Sequence, residues 1–324
     1  MIHRKIYPAS FRARWGIDAL LVLMVVIWGA NYSVIKRCFA EIPPQPFNAL
    51  RLLVASATFF AAIRHARRRA IASGGRLSSV FYTSAPLTRR DRLDLLWLGL
   101  IGHFAYQTCF VGGVAATSVS NAALVIGATP VAIATASALV GHERIAPLHW
   151  VGAAISILGI YFVVGHSASF GGATLHGDVL IMVSVACWVA YTLGATRLIA
   201  RHSPLYVTGM TMMIGVGPYV LVMLPQIVRV PWAQVSAWTW VALLLSAWLA
   251  LCVAYLIWYT GVQRLGPART SIYSNVIPIV AMTIAALWLR EPITTAKAIG
   301  AAAVLSGVFL TRLARPAATL PVEE

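Results

Sequence analysis

The sequence predicts an all-α integral membrane protein of ten transmembrane helices, built as two five-helix repeats of inverted topology. Three observations predict it: an apolar composition, a stretch that occurs twice, and an odd number of helices between the two copies. Hydrophobic residues make up 60% and charged residues 10% of the 324-residue chain, whereas a soluble domain has about 25% charged residues. Because the bilayer core requires runs of about 20 apolar residues, we expect a polytopic membrane protein.

The repeated stretch is defined by five landmark residues that return with one spacing. The first copy contains Gly113, Pro130, Glu143, Gly152 and Gly159, and the second contains Gly261, Pro278, Glu291, Gly300 and Gly307. Apolar segments resemble one another by composition, but a proline, a glutamate and three glycines do not recur in one register for that reason. We therefore infer an internal duplication, which decides the architecture before other signals do.

Hydropathy divides the chain into ten candidate helices whose ends are uncertain by a few residues. They are Ile17–Lys36, Pro46–Ile63, Leu93–Thr117, Val119–Val140, Pro147–Val164, Gly177–Arg197, Pro204–Leu224, Ala237–Gln263, Pro267–Leu289 and Thr294–Leu313. Buried helices of a soluble protein would need polar faces, and most of these segments have none. The two copies are five helices apart, so equivalent helices cross the membrane in opposite directions.

The basic residues predict the orientation, because cytoplasmic loops of membrane proteins are enriched in lysine and arginine. With both termini in the cytoplasm, 19 of the 25 lysines and arginines lie on inner segments and five on outer ones. This topology signal explains the net charge of +16 better than nucleic-acid binding does. The basic loop 64–92 is expected to be mobile; attraction to anionic lipid is the alternative to a topology role.

The predicted organisation is a cytoplasmic tail 1–16, a first repeat 17–165 that includes loop 64–92, a second repeat 177–313 and a cytoplasmic tail 314–324. The basic N-terminus and the apolar run after it resemble a signal peptide. We keep the run as a helix because Asp18, Trp28 and Ala30 have counterparts 160 residues later, in the first helix of the second repeat.

Several motifs resemble the EamA-type, ten-helix branch of the drug/metabolite transporter superfamily. They are Trp28-Gly29-Ala30-Asn31 with Lys36, then Pro46, Phe47 and Arg51, the segment from Pro130 to Glu143 with its copy around Pro278, and Leu265-Gly266-Pro267-Ala268. The resemblance covers Leu20 to Leu313. The second half departs from the first where Asn31 and Lys36 become Tyr191 and Thr196, so a substrate site would be asymmetric.

The resemblance implies a secondary transporter, most often an exporter of amino acids or related metabolites, in the bacterial inner membrane. Inverted repeats predict alternating access to a site near the midplane, and no GxxxxGK[ST] motif suggests an ATP-driven pump. A multidrug or quaternary-cation exporter and a flippase for lipid-linked substrates are the alternatives. We expect no enzyme, because HExxH, GxSxG and paired midplane carboxylates are missing. We also expect no cofactor, no metal and no nucleic acid, and a monomer or a homodimer.

Three polar residues of the first two helices are candidates for the substrate cavity. Arg51 is a cation within a span, which is costly unless it is paired or hydrated. It could hold a carboxylate or phosphate, or it could clamp backbone carbonyls near the outer interface. Lys36 could face the cavity or reach the interface with its ammonium group. Asn31 could bond the substrate or join two helices.

The remaining candidates lie on later helices. His103 and Gln107 share a helix face, and the histidine could carry a proton or make a bond between helices. Further cavity candidates are Trp188, Tyr191, Trp258, Tyr259 and Asn275, of which the aromatic rings could stack on an aromatic or cationic substrate or simply pack. Pro130 and Pro278 should kink their helices and shape or gate the pathway. The paired glycines of the repeat should let helices approach closely, either within the chain or in a dimer.

Overall fold

A computed structural model describes residues 11–75, 77–139, 147–168 and 172–313, and these residues form helices joined by turns, without a strand. The helices are α1 (Phe11–Cys38), α2 (Pro44–Ala72), α3 (Arg89–Gly99), α4 (Tyr106–Ala116), α5 (Val119–Gly127), α6 (Thr129–Leu139), α7 (Pro147–Ala168), α8 (Gly172–Ile199), α9 (Pro204–Ile227), α10 (Ala237–Leu245), α11 (Ala254–Leu265), α12 (Pro267–Ser274), α13 (Ile277–Trp288) and α14 (Thr295–Leu313). A short 3₁₀ helix covers Trp232–Gln234. The all-helical prediction is confirmed.

Among the described residues, seven helical segments are long and apolar enough to cross a membrane. They are Gly16–Cys38, Pro44–Ala72, Arg89–Ala116, Val119–Ala136, Leu175–Ile199, Pro204–Ile227 and Ala237–Leu265, and the shorter apolar helices are Trp150–Phe162, Ile277–Trp288 and Thr295–Leu310. Large apolar side chains lie exposed on these segments, as Leu221 and Phe60 do. A soluble protein would bury them, so the described segments are those of a multi-pass membrane protein.

The basic loop predicted at 64–92 is shorter than expected, because helices extend into it from both sides. Helix α2 continues to Ala72, through arginines and alanines that favour helix. It ends before Gly74 and Gly75, whose φ angles of +61° and +84° suit glycine. Thr88 then starts α3 with a reciprocal capping box to Asp91.

The rest of this loop packs on the beginning of α9, against our expectation of a mobile segment. The amide of Leu205 donates to the Val80 carbonyl at 3.1 Å, and the Ser203 hydroxyl donates to the Phe81 carbonyl at 3.3 Å. Val80 is buried. These contacts, which have no local signal in the sequence, tie the loop to the bundle.

Two segments of π-helix interrupt long helices, Leu100–Ala105 before α4 and Ser246–Val253 before α11. Single π turns inside α-helices occur frequently at functional sites. Two other helices break next to the repeated prolines: α5 ends at Gly127 and α6 carries Pro130 in its first turn, while Pro278 lies in the first turn of α13. Proline suits this position because the first amides of a helix have no partner within it.

Close helix packing joins the front and back parts of the chain. Helix α2 packs on α9, α4 on α8, α7 on α14, and α1 on both α11 and α13. In each pair one helix lies before residue 169 and the other after residue 171. From these pairs, helices α1, α2, α4, α8, α11 and α13 line the cavity described below.

The second and third glycines of each copy lie on α7 and α14, where these two helices cross. They are Gly152 and Gly159 on α7 and Gly300 and Gly307 on α14. A Cβ on Gly159 would lie 2.9 Å from the Gly300 carbonyl oxygen, and a Cβ on Gly307 would collide with the Gly152 carbonyl oxygen. Only glycine permits this approach of two backbones. The glycine face is therefore used within the chain, so it is not available as the dimer face that the sequence left open.

Candidate functional site

A cavity lies among α1, α2, α4, α8, α11 and the second π segment. Its polar and aromatic lining consists of Trp28, Asn31, Tyr32, Arg51, Tyr106, Gln107, Phe110, Thr129, Trp188, Tyr255, Trp258 and Ser274. About 60 Å³ of it is open to the centres of water molecules. One buried water needs roughly 10–15 Å³ of such space. In this conformation the cavity therefore has room for a few waters, and a metabolite would require its walls to move.

Arg51 is the one charged side chain in the lining of this cavity, and it is 1% exposed. Its Nη1 donates to Asn48 Oδ1 at 3.0 Å, and its guanidinium carbon lies 5.8 Å from the centre of the Phe47 ring. Among the residues that the structure describes, no carboxylate pairs with it, and its Nε has no hydrogen-bond partner. Arg51 is therefore enclosed by the protein, with donor capacity left unused.

A chain of hydrogen bonds orients Arg51. Asn48 Nδ2 donates to the Tyr219 hydroxyl at 3.1 Å, and the same hydroxyl donates to Gln45 Oε1. Asn48 precedes Arg51 by three residues and so lies on the same face of α2. Because the carboxamide of Asn48 is held by Tyr219, the Nη1 of Arg51 has a defined position while its Nε remains free for another acceptor.

Aromatic rings form the opposite wall. The Trp28 ring centre lies 5.7 Å from those of Trp188 and Trp258, and the Trp188 ring centre lies 5.3 Å from that of Tyr255. Trp28 Nε1 donates to the Ala250 carbonyl at 2.9 Å, which anchors the first ring to the second π segment. Edge-to-face aromatic pairs of this kind stabilise their packing by about 0.5–1.5 kcal/mol each. The wall can contact an apolar, aromatic or cationic group.

His103 lies in the first π segment, is fully buried and does not line the cavity. Its Nε2 is 3.0 Å from the Tyr191 hydroxyl, which is 2.7 Å from Thr211 Oγ1. Its Nδ1 has no partner in the part of the chain that the structure describes. Gln107, one turn later, does reach the cavity and donates to the Tyr255 hydroxyl at 3.1 Å.

Lys36 does not line the cavity. Its Nζ donates to the carbonyls of Val114, Ala115 and Thr117 at 2.8, 2.8 and 2.7 Å, so it caps the C-terminus of α4. A cation at that end complements the helix dipole. Lys36 thus bonds to a neighbouring helix end and does not face the cavity. No sequence signal pairs it with a helix end about 80 residues away.

Glu291 completes this arrangement from the other side of the α4–α5 turn. Its carboxylate accepts from the amides of Val119 at 2.8 Å and Ser120 at 3.1 Å, at the N-terminus of α5. An anion is favourable there for the same electrostatic reason. Glu291 therefore caps the N-terminus of α5, whereas its counterpart Glu143 lies outside the described residues.

The other predicted cavity residues lie in or around the cavity. Asn31 lines it and accepts a hydrogen bond from the Ser246 hydroxyl through Oδ1, while Trp188 and Trp258 belong to the aromatic wall. Tyr191, Tyr259 and Asn275 are buried behind the lining.

Unpartnered polar atoms gather in this region. Across the described residues they include Arg51 Nε, Gln107 Oε1, Trp258 Nε1, the Tyr259 hydroxyl and Asn275 Oδ1. Buried polar groups are nearly always hydrogen-bonded in folded proteins. Such a concentration marks the place where water or a ligand supplies the missing partners.

Sequence reasoning missed several residues of this site. Asn48 could have been found from its spacing to Arg51. Ser246 and Thr211 could not, because their partners are about 215 and 108 positions away in the chain.

A second charged cluster, also missed, lies where α3 begins and α8 ends. Asp91 is fully buried and accepts from the Thr88 amide at 2.9 Å and from Arg201 Nη1 at 3.2 Å. His202 Nε2 lies 3.4 Å and Arg197 Nη2 3.8 Å from the same carboxylate. This acidic side chain is thus surrounded by donors.

Comparison with known proteins agrees with this structure. A sequence model of the EamA-like transporter family matches residues 15–165 and 175–313. A solved structure titled "Crystal structure of protein" superposes with a TM-score of 0.65 at 20% identity, over 93% of this chain and 99% of that one. At that identity the likeness shows the fold alone.

Curated relatives carry transporter names. The chain is 27% identical over 224 residues to the "Uncharacterized transporter YyaM" of Bacillus subtilis, which covers 68% of this chain and 73% of that protein. It is 25% identical over 303 residues to a "Probable amino-acid metabolite efflux pump" of Salmonella typhimurium, covering 90% and 93%. It is 28% identical over 301 residues to a "Probable terminal-alkyne amino-acid exporter" of Streptantibioticus cattleyicolor, covering 90% and 91%.

The family matches account for both parts of the chain, and they confirm the resemblance drawn from its motifs. The chain therefore belongs to the EamA-like transporter family, and it is a multi-pass membrane transporter of small molecules rather than an enzyme.

Proposed function

We propose that this protein exports small metabolites with an anionic end, such as amino acids or related compounds, across the bacterial inner membrane. Arg51 carries the proposal: it is a buried cation in the lining of the cavity, with a free donor and with no carboxylate beside it among the described residues. Guanidinium groups bind carboxylates through two parallel hydrogen bonds. Relatives named as amino-acid metabolite efflux pumps support both the substrate class and the direction.

The proposed mechanism is alternating access by two five-helix halves of inverted topology, 17–165 and 177–313. Support comes from pairs of positions separated by 148 that contact each other: Gln107 with Tyr255, and Ser156 with Val304. Equivalent positions meet in this way at a pseudo-twofold axis. The first π segment, shifted by 148, falls within the second. Inverted halves can exchange conformations about a site at their interface.

The proposed topology has ten spans with both termini in the cytoplasm. The seven long apolar segments and the three shorter ones correspond in order to the ten predicted helices. The orientation rests on the excess of arginine and lysine on one side. Cysteine accessibility at Ser73 and Ser236 would test it: a membrane-impermeant thiol reagent added to intact cells should label Ser236→Cys and not Ser73→Cys, in a background without the four native cysteines.

The substrate class is tested by thermal stabilisation of the purified protein with amino acids, organic anions and quaternary cations. A ligand at about a hundred times its Kd stabilises the folded state by about 2.7 kcal/mol. We expect carboxylate compounds to raise the melting temperature of the native protein and not that of Arg51→Ala. Arg197→Ala is the matched control, because Arg197 is 40% exposed and pairs with Asp94 outside the cavity. Carboxylates that stabilise Arg51→Ala equally well would contradict the proposal.

The aromatic wall favours a second candidate, export of quaternary cations. Rings of Trp28, Trp188 and Trp258 within 6 Å of one another resemble the surfaces that bind such cations. A cation would nevertheless meet Arg51 and no carboxylate in the described lining. Stabilisation by tetraalkylammonium compounds that increases in Arg51→Ala would favour this candidate over the first.

A further inference from the structure

A groove opens beside the cavity on the outer surface of the bundle, between α1 and the unit formed by α10 and the second π segment. Its walls include Val26, Ala30 and Val34 from one side and Val241, Leu245 and Leu249 from the other. Val26, Val241, Leu245 and Leu249 are 48%, 55%, 47% and 43% exposed. Both walls belong to segments long and apolar enough to cross a membrane, so the groove faces the hydrocarbon of the bilayer.

The groove and the cavity share two residues, Asn31 and Ala250. At this junction the Ser246 hydroxyl donates to Asn31 Oδ1, and Trp28 Nε1 donates to the Ala250 carbonyl. Asn31 is 8% exposed and, like Arg51, lines the cavity. The junction therefore places a carboxamide in the same lining as Arg51, and the two hydrogen bonds join α1 to the second π segment between cavity and groove.

The two spaces differ greatly in size. The cavity has about 60 Å³ open to water centres and the groove about 380 Å³. An anionic head group replaces a few waters and fits the cavity, whereas the remainder of a metabolite does not. The groove is the adjoining space large enough for it, and its lining is almost wholly apolar.

From this geometry we infer that the transporter takes amphipathic anions, which place the anionic head at Arg51 and Asn31 and an alkyl or aryl tail in the groove between α1 and α10. The inference rests on the proposed role of Arg51 in the proposed function. It adds that the substrate has an apolar tail and that this tail binds in the groove. The bilayer side of the groove also gives such a molecule a lateral route between cavity and membrane. Each methylene of the tail that leaves water should raise affinity about fourfold.

The probes are butanoate and octanoate, which share a carboxylate and differ by four methylenes. Binding is measured by titration calorimetry on the full-length protein in lipid nanodiscs, with subtraction of the heat from empty nanodiscs. Leu245→Trp and Val241→Trp fill the groove with exposed side chains that should not disturb folding. Val253→Trp is the matched control, since Val253 is 39% exposed on the π segment that follows α10 and lines neither space.

We expect octanoate to bind the native protein and Val253→Trp at least tenfold more tightly than butanoate. In Leu245→Trp and Val241→Trp this gain should disappear while butanoate affinity stays unchanged. If both groove variants keep the gain and Arg51→Ala abolishes binding, the tail does not lie in the groove and the proposed function stands. If Arg51→Ala binds both anions as the native protein does, the head-group site and with it the proposed function are wrong.

Discussion

Two buried charges in this protein have opposite surroundings. Asp91, at the start of α3, is met by Arg201 at 3.2 Å, His202 at 3.4 Å and the Thr88 amide at 2.9 Å. Arg51, in the middle of the bundle, is met by the neutral Asn48 at 3.0 Å and by no carboxylate that the structure describes. A buried charge is costly unless it is paired. A charge supplied with partners serves the fold, and a charge left without one is retained for something that binds there.

The strongest test of this contrast is Arg51→Met, which removes the charge and keeps an apolar side chain of similar length. Affinity for carboxylates should fall about a hundredfold or more, because truncating one partner of a buried charge pair costs about 2–5 kcal/mol. The melting temperature without ligand should stay the same or rise, since an uncompensated cation has been removed. Calorimetric titration and thermal unfolding of the same sample measure the two effects. A large fall in stability without ligand would mean that Arg51 is structural.

Asp91→Asn should have the opposite effects to Arg51→Met on stability and on ligand affinity. It removes the negative charge beside Arg201 and Arg197 and weakens the capping box of α3, so the melting temperature should fall while ligand affinity is kept. Thr88→Ala is the graded control: it removes the cap alone, which costs about 1 kcal/mol, and should lower stability less than Asp91→Asn. Equal losses in the two variants would show that the ionic contacts contribute nothing beyond the cap.

Lys36→Met examines a charge between these extremes, half-buried and bonded to three backbone carbonyls. Hydrogen bonds from charged groups contribute about 1.5–3 kcal/mol at most. We therefore expect a loss of about 1–2 kcal/mol in stability and no change in the Kd for carboxylates. Lys297→Met is the control at the same end of the molecule, because Lys297 Nζ lies 4.0 Å from Glu291 and caps no helix. A Kd for carboxylates that rises in Lys36→Met but not in Lys297→Met would show that Lys36 contributes to the binding site.

The smallest effect is expected at Glu41, an acidic side chain in the turn between α1 and α2. Hydrogen bonds from the Ser236 amide at 2.8 Å and hydroxyl at 2.9 Å lower its pKa. Because the pKa of Glu41 is lower in the folded state, ionised Glu41 stabilises the fold at pH values above its unfolded-state pKa of about 4.3. This stabilisation is lost as the pH falls through the folded-state pKa. Glu41→Gln should flatten the pH dependence of the melting temperature below about pH 4.3 and leave it unchanged at pH 7. If the melting temperature of Glu41→Gln falls at low pH as that of the native protein does, the contact between Glu41 and Ser236 is not maintained in solution.

Parts of the fold followed from the sequence because the signals are local and repeated. The glycine pairs Gly152/Gly159 and Gly300/Gly307 predicted a close approach of helices, and Gly159 and Gly307 do lie at one. The predicted extent of the loop, 64–92, was wrong. Arginine favours helix, so α2 continues through the arginines to Ala72, and Gly74-Gly75 marks where it ends. The site was predicted unevenly. Arg51, Asn31 and Gln107 were found as polar residues within apolar spans, whereas Asn48 and Ser246 were not.

Composition, repeated landmarks and family motifs are properties of the chain in order, so the sequence alone identified a helical membrane transporter of the EamA-like family. Other features emerged only from the folded chain: Lys36 caps α4, Asp91 has cationic partners while Arg51 has no acidic one among the described residues, and an exposed apolar groove adjoins the cavity. They could not be read in advance, because a buried polar or charged group takes its role from what lies within about 4 Å of it. Here those neighbours, such as Ser246 for Asn31, come from helices about 200 positions away.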